Sequence, residues 1–138
     1  MANLEATGKE VVDAAMAVHR ALGPGLLESA YEQCLAYELA ERGLGVERQK
    51  ELPLIYRGRR MENGYRVDLF VEGQVVVELK SVERLEPIHE AQLISYLKLS
   101  GLHLGFLINF NTRLLRDGLR RIVHNLTEPS WRPWRPLR

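Results

Sequence analysis

Tyr65-Arg66-Val67-Asp68-Leu69-Phe70-Val71-Glu72-Gly73-Gln74-Val75-Val76-Val77-Glu78-Leu79-Lys80 decides how the chain is read. Two β-rich runs flank a short turn, so the stretch reads as a hairpin. Side chains alternate along a strand, which sets Val67, Leu69 and Val71 on one face and Arg66, Asp68 and Phe70 on the other. On the second strand Glu78 and Lys80 share a face, with Val77 and Leu79 turned toward a core. If Glu72-Gly73-Gln74 is a three-residue loop closed by Val71 and Val75, Asp68 lies opposite Glu78. Directly opposed residues have Cβ atoms about 4.5–5.5 Å apart. A two-residue loop would set Asp68 against Val77 and separate the acids. The longer loop needs a residue that tolerates a left-handed backbone, and Gly73 supplies one.

Upstream, Thr7-Gly8-Lys9-Glu10 has capping-box spacing, and Val11, Ala14, Ala15, Val18 and Leu22 repeat at helical period. Gly23-Pro24-Gly25 breaks that helix. A second helix is expected from about Leu26 to Arg42, stopped by Gly43. Val46 to Tyr56 is a strand in which Pro53 marks an edge or bulge, and Arg57-Gly58-Arg59-Arg60 reads as a turn. Pro87 suits the first turn of a third helix, ending near Gly101. Leu102 to Phe110 is an apolar strand, and Arg113 to Asn125 has the pattern of an amphipathic helix. The order is α-α-β-β-β-α-β-α, an α/β (α+β) architecture with a central mixed sheet flanked by helices. Residues 1–126 are expected to form one domain, followed by an Arg/Trp/Pro-rich tail over 127–138.

Composition narrows the functional classes. With 138 residues, 46% hydrophobic and 27% charged, the chain has the make-up of one water-soluble domain. No apolar run approaches the ~20 residues of a membrane span, so no membrane partner is expected. Cys34 is the single cysteine, which excludes an internal disulfide and a four-thiolate cluster and fits a reducing cytoplasm. Net charge is +1, but residues 111–138 carry seven arginines against Asp117 and Glu128, or +5, leaving −4 on the first 110. A basic end suits a polyanion; a solvated helix face with a disordered tail is the plainer alternative. Trp131, Arg132, Trp134 and Arg135 could equally anchor a protein partner or stack on single-stranded bases.

Two carboxylates and a lysine at neighbouring strand ends are the groups a magnesium-dependent phosphodiesterase needs. Like charges this close repel unless a cation intervenes, and Mg²⁺ often uses only one or two protein carboxylates plus substrate phosphate. Lys80 would then orient a water or stabilise the phosphate in flight. A surface salt bridge among Asp68, Glu78 and Lys80, worth ~0–1 kcal/mol, is the competing reading. His89, Gln92 and Tyr96 follow at i, i+3 and i+7 on one helix face. Gln92 and Tyr96 could hold a phosphate or a metal-bound water, while His89 reads better as a surface or cap residue. Glu28 sits in a first helical turn, where the helix dipole alone would favour it.

Gly25-Leu26-Leu27-Glu28-Ser29-Ala30-Tyr31 matches the motif of the GxxExxY proteins, and Asp68, Glu78-Leu79-Lys80 and Gln92-Leu93-Ile94-Ser95-Tyr96 resemble the pattern of RecB-like PD-(D/E)xK nucleases. The resemblance covers roughly residues 4–125, and His19 to Gly25, Pro87 to Gln92 and Ile108-Asn109-Phe110-Asn111 also look typical. It implies a restriction-endonuclease-like core with Asp68, Glu78 and Glu28 as ligands of Mg²⁺ (or Mn²⁺). Lys80 is then the catalytic lysine, and Gln92 and Tyr96 an accessory pair. Tyr65-Arg66-Val67-Asp68 departs from the pattern in lacking a proline before the aspartate. The implied activity is hydrolysis of phosphodiesters in DNA; the alternative is a non-cleaving nucleic-acid-binding or regulatory module on the same fold.

Overall fold

The computed structural model describes residues 3–126; the expected 127–138 tail lies outside them. Helix α1 (Leu4–Leu22) starts earlier than the capping-box spacing suggests, because the Asn3 side chain accepts the Ala6 amide at 3.1 Å. Helix α2 (Glu28–Glu41) precedes strands β1 (Val46–Tyr56), β2 (Arg59–Val71) and β3 (Val75–Lys80). Helix α3 (Pro87–Ser100) opens with proline and stops at Gly101, whose backbone is left-handed. Strand β4 (Leu104–Asn109) and strand β5 (Leu119–Val123) complete a five-stranded sheet in the order β1-β2-β3-β4-β5. Pairing is antiparallel except between β3 and β4, which α3 connects as a crossover.

The sheet is mixed and covered on both faces, in agreement with the α+β expectation. On one face α1 and α2 bury Val11, Ala14, Ala15, Tyr31, Leu35 and Leu39 against Leu69, Val77, Leu79, Phe106 and Ile108. On the other, Leu93 and Leu97 of α3 meet Phe70, Val76, Leu107 and Ile122. Burial of each such side chain contributes roughly 1.5–3 kcal/mol. Their division between the faces follows the alternation of β3 and β4, whose even and odd positions serve different layers.

Two expectations are corrected. The helix expected over Arg113 to Asn125 is instead a 3₁₀ turn (Leu115–Gly118) followed by β5, which pairs Leu119 with Ile108 and Val123 with Leu104. Gly118 is the reason. A Cβ there would stand 2.3 Å from the carbonyl oxygen of Asn109, so the chain folds back onto β4 at a distance only glycine allows. The second concerns Val67, which packs with Phe70 on the α3 side rather than with Leu69 and Val71. Alternation is broken across Asp68, opposite Gln49 of β1, whose φ of 50° is left-handed. Pro53 behaves as expected: the β1–β2 register shifts between Leu52 and Leu54.

Candidate active site

The hairpin closes as the three-residue loop requires. Val71 pairs with Val75, Gln74 N donates to Val71 O at 3.0 Å, and Glu72 and Gly73 both adopt positive φ. The ladder between β2 and β3 then runs only to Leu69–Val77. One step further Asp68 and Glu78 replace the ladder bonds with their side chains. Leu79 N donates to Asp68 Oδ2 at 2.7 Å, and Asp68 N donates to Glu78 Oε1 at 3.0 Å. Strand β3 stays paired with β4 as far as Lys80–Asn109. The sheet therefore opens on one side of β3 only, and both carboxylates sit in the opening.

Burial and crowding set the electrostatics. Desolvation first, and then the charge of Asp68, push Glu78 up to about 8; the Asp68 amide and Lys80 oppose this. Asp68 is raised mainly by burial and further by Glu32, against hydrogen bonds from the Leu79 amide and Gln49. Glu28 is raised by burial and then by Asp68, while Lys80 and the Ser81 amide pull it down. The site thus resists full ionisation in the absence of added positive charge.

Lys80 forms no ion pair with any described residue. It remains close enough to Glu28, Asp68 and Glu78 to act on all three electrostatically. Its backbone is fixed from behind. Phe110 N donates to Lys80 O at 3.0 Å, and buried Asn109 receives Val82 N at 3.1 Å while donating to Val82 O at 2.9 Å.

Glu28 opens α2, and its position follows from the residues around it. Gly25 has φ 98°. Tyr31, fully buried and stacked on Phe110 at 4.5 Å, donates its hydroxyl to Gly23 O at 2.6 Å and accepts Leu26 N at 3.1 Å. Ser81 Oγ donates to Leu26 O at 2.6 Å. The glycine bends the loop, the tyrosine pins it, and the serine after Lys80 docks it onto the end of β3, so Glu28 faces the opening.

Helix α3 supplies the far wall. Tyr96 is half-buried, stacks on Tyr65 at 4.3 Å, and is raised by burial and by the charges of Glu78 and Asp68. Gln92 is exposed one turn earlier and forms no hydrogen bond with a described residue; of the two, Tyr96 is the one the charges of Glu78 and Asp68 reach. His89 is a cap: its Nδ1 accepts the Glu86 amide at 3.0 Å.

Sequence reasoning missed Glu32, Gln49 and Arg48. Gln49 Nε2 donates to Asp68 Oδ1 at 3.2 Å and to Glu32 Oε1 at 2.7 Å, and Arg48 Nε meets Glu32 Oε2 at 3.0 Å. The i, i+4 spacing of Glu28 and Glu32 put both on one helix face and could have signalled the second acid. Nothing local announces Gln49, whose left-handed backbone depends on tertiary context.

Among the described residues no group of three acidic, histidine or cysteine side chains is gathered tightly enough to hold a metal ion. The pair Asp68 and Glu78 nevertheless has the donor chemistry of a hard divalent cation: half-buried, hydrogen-bonded carboxylate oxygens whose mutual repulsion such an ion would relieve. No described helix is long and apolar enough to cross a membrane. No curated protein and no solved structure matches the chain. The model of the PD-(D/E)XK nuclease superfamily matches residues 5–122, spanning both acids, the lysine and every element from α1 into β5. With its mixed sheet opening at an Asp/Glu-x-Lys hairpin, the chain belongs to the PD-(D/E)XK nuclease superfamily.

Proposed function

We propose that this chain is a Mg²⁺- or Mn²⁺-dependent nuclease that hydrolyses phosphodiester bonds in DNA, acting in the cytoplasm, and that it is of the GxxExxY kind. The observation that carries the reading is the opened sheet edge. There Asp68 and Glu78 are held by each other's strands, and Lys80 acts on both with no ion pair to a described residue. Asp68 and Glu78 would hold the metal; Glu28, carried toward them by α2 but not gathered tightly with them in the metal-free chain, is the proposed third ligand. A bound divalent ion supplies charge neutralisation and a water of lowered pKa. The Lys80 ammonium then faces the phosphate oxygens and stabilises their added charge as the water oxygen bonds to phosphorus and the ester oxygen leaves. Tyr96 presents a hydroxyl to the same charge, and exposed Gln92, one turn earlier on α3, orients the strand. The catalytic unit is residues 1–126, with 127–138 an appendage.

Incubation with single-stranded, duplex and branched DNA in Mg²⁺ or Mn²⁺ tests the proposal. Cleavage that persists in both Glu78→Ala and Lys80→Ala would refute it. A second reading, a binding module that does not cut, is favoured by one observation: Asp68 already spends both oxygens on Leu79 N and Gln49. Calorimetric titration with Mg²⁺ separates the two, because a working site takes up metal through Asp68 and Glu78 and a retired one does not.

A further inference from the structure

Strands β1 and β2 continue well past the sheet. Their pairing extends to Tyr56–Arg59, whereas β2 leaves β3 at Leu69. Tyr65 is tied to α3 by its stack on Tyr96 and by its hydroxyl, which donates to Tyr96 O at 2.9 Å, and residues 55–63 beyond it are all exposed. The ribbon ends in the two-residue turn Arg57-Gly58, with φ 53° and 76°. Two positive φ values define the turn type that matches strand twist, and its first position ordinarily takes Asn, Asp or Gly. Arginine there is conformationally costly. It lies 5.4 Å over the ring of exposed Tyr56.

Charge completes the picture. Arg60 pairs with Glu62, but Arg57 and Arg59 have no carboxylate partner among the described residues. They stand at the tip of a ribbon on a body whose first 110 residues sum to −4. Exposed Ile55, Tyr56 and Met61 surround them. Strand β2 leads straight from this tip to Asp68, nine residues on, a reach of up to ~30 Å at about 3.3 Å per residue. Nucleic acid advances 3.4 Å per nucleotide along one strand, so the tip stands about eight or nine nucleotides from the carboxylates.

We propose that the β1–β2 ribbon is a nucleic-acid-binding arm, in which Arg57 and Arg59 take backbone phosphates remote from the bond that is cut while Tyr56 packs on sugar or base. This rests on the nuclease reading for the identity of the polyanion. The arm supplies the grip that the acidic body lacks, and it binds by charge and stacking, without reading sequence.

The test replaces Arg57→Asn and Arg59→Ser together; asparagine suits the turn, and what is given up is the exposed Arg57–Tyr56 stack and no ion pair with a described residue, so folding is preserved. Binding to a labelled duplex is followed by anisotropy over a range of salt in a Lys80→Ala background. Loss of two phosphate contacts makes the slope of log affinity against log salt shallower by about 1.8. In the Lys80-intact protein KM rises and kcat does not. The control Arg20→Ser/Lys98→Ser removes equal charge from exposed helical positions and leaves the slope in place. An unchanged slope in the arm variant, or an equal change in the control, overturns the arm. A chain that cuts normally without its arm arginines refutes the arm alone. One that binds through them but never cuts upholds the arm and refutes the nuclease. One that neither binds nor cuts removes both.

Discussion

Glu78→Gln should make the metal-free protein more stable, and increasingly so as pH rises. Glu78 has an ordinary value of 4.5 and is pushed to about 8 in the folded chain by burial and by Asp68. Because the folded-state value is the higher one, the folded protein binds the proton more tightly than the unfolded chain. Stability is therefore fully present below pH 4.5 and is lost as pH climbs through 4.5 to 8. Each pH unit in that window costs ~1.4 kcal/mol, so the whole passage approaches ~5 kcal/mol. Asp68 titrates with Glu78 and shares the cost, so ~2–5 kcal/mol is the range expected for the pair. Glutamine keeps the shape and keeps an oxygen to accept the Asp68 amide, but it has no charge to desolvate.

Urea unfolding followed by circular dichroism in EDTA, at intervals from pH 5.5 to 8.5, gives the measurement. Other groups titrate in the same range, but they are common to both proteins, and the difference between the curves isolates Glu78. The variant should gain on the parent by ~2–4 kcal/mol at pH 8.5 and by ~1 kcal/mol at pH 5.5. Added Mg²⁺ should restore the parent at pH 8.5 and leave the variant nearly unmoved, since ligand that binds only the folded state stabilises it by mass action. A parent whose margin over the variant is constant with pH, or a variant less stable than the parent at pH 8.5, would show that the carboxylate is not desolvated as described.

Three further perturbations have signs fixed by geometry. Tyr31→Phe keeps the stack on Phe110 but strips the hydroxyl from Gly23 O and Leu26 N; it should cost ~1–2 kcal/mol in urea unfolding and lower cleavage through displacement of Glu28. Asn109→Ala removes the bonds that hold Val82 behind Lys80, and a loss of ~2–4 kcal/mol with a matching fall in kcat is expected; an unchanged melting curve would contradict the clamp. Gly118→Ala drives a Cβ against Asn109 O and should leave the protein largely insoluble or destabilised by more than ~3 kcal/mol in denaturation.

Local pattern carried the site further than it carried the fold's last element. The spacing of Asp68 and Glu78 about a Gly73-bearing turn was sufficient to oppose them, because hairpin register follows from loop length. The segment from Arg113 to Asn125 misled because Leu114, Leu115, Leu119, Ile122 and Val123 fit a helical stripe as well as a strand at a sheet edge. What decides between them is the approach of Gly118 to Asn109, a contact between residues that periodicity does not join. The same holds for Gln49. Its bonds to Asp68 and Glu32 need a left-handed residue inside a strand, and no propensity proposes one.

The opening at β3 also explains why the rest of the sheet is built as it is. Giving up ladder bonds beyond Leu69–Val77 and burying two acids there is unfavourable, and a sheet that frayed further would lose Lys80. The fraying is stopped from the opposite edge. β4 pairs with β3 through Lys80–Asn109 and is itself backed by β5, so the strand carrying the lysine is internal. Gly118 is what lets β5 reach that place. A residue far from the carboxylates in sequence therefore helps keep β4, and through it the lysine-bearing strand, inside the sheet while the other side of β3 stands open.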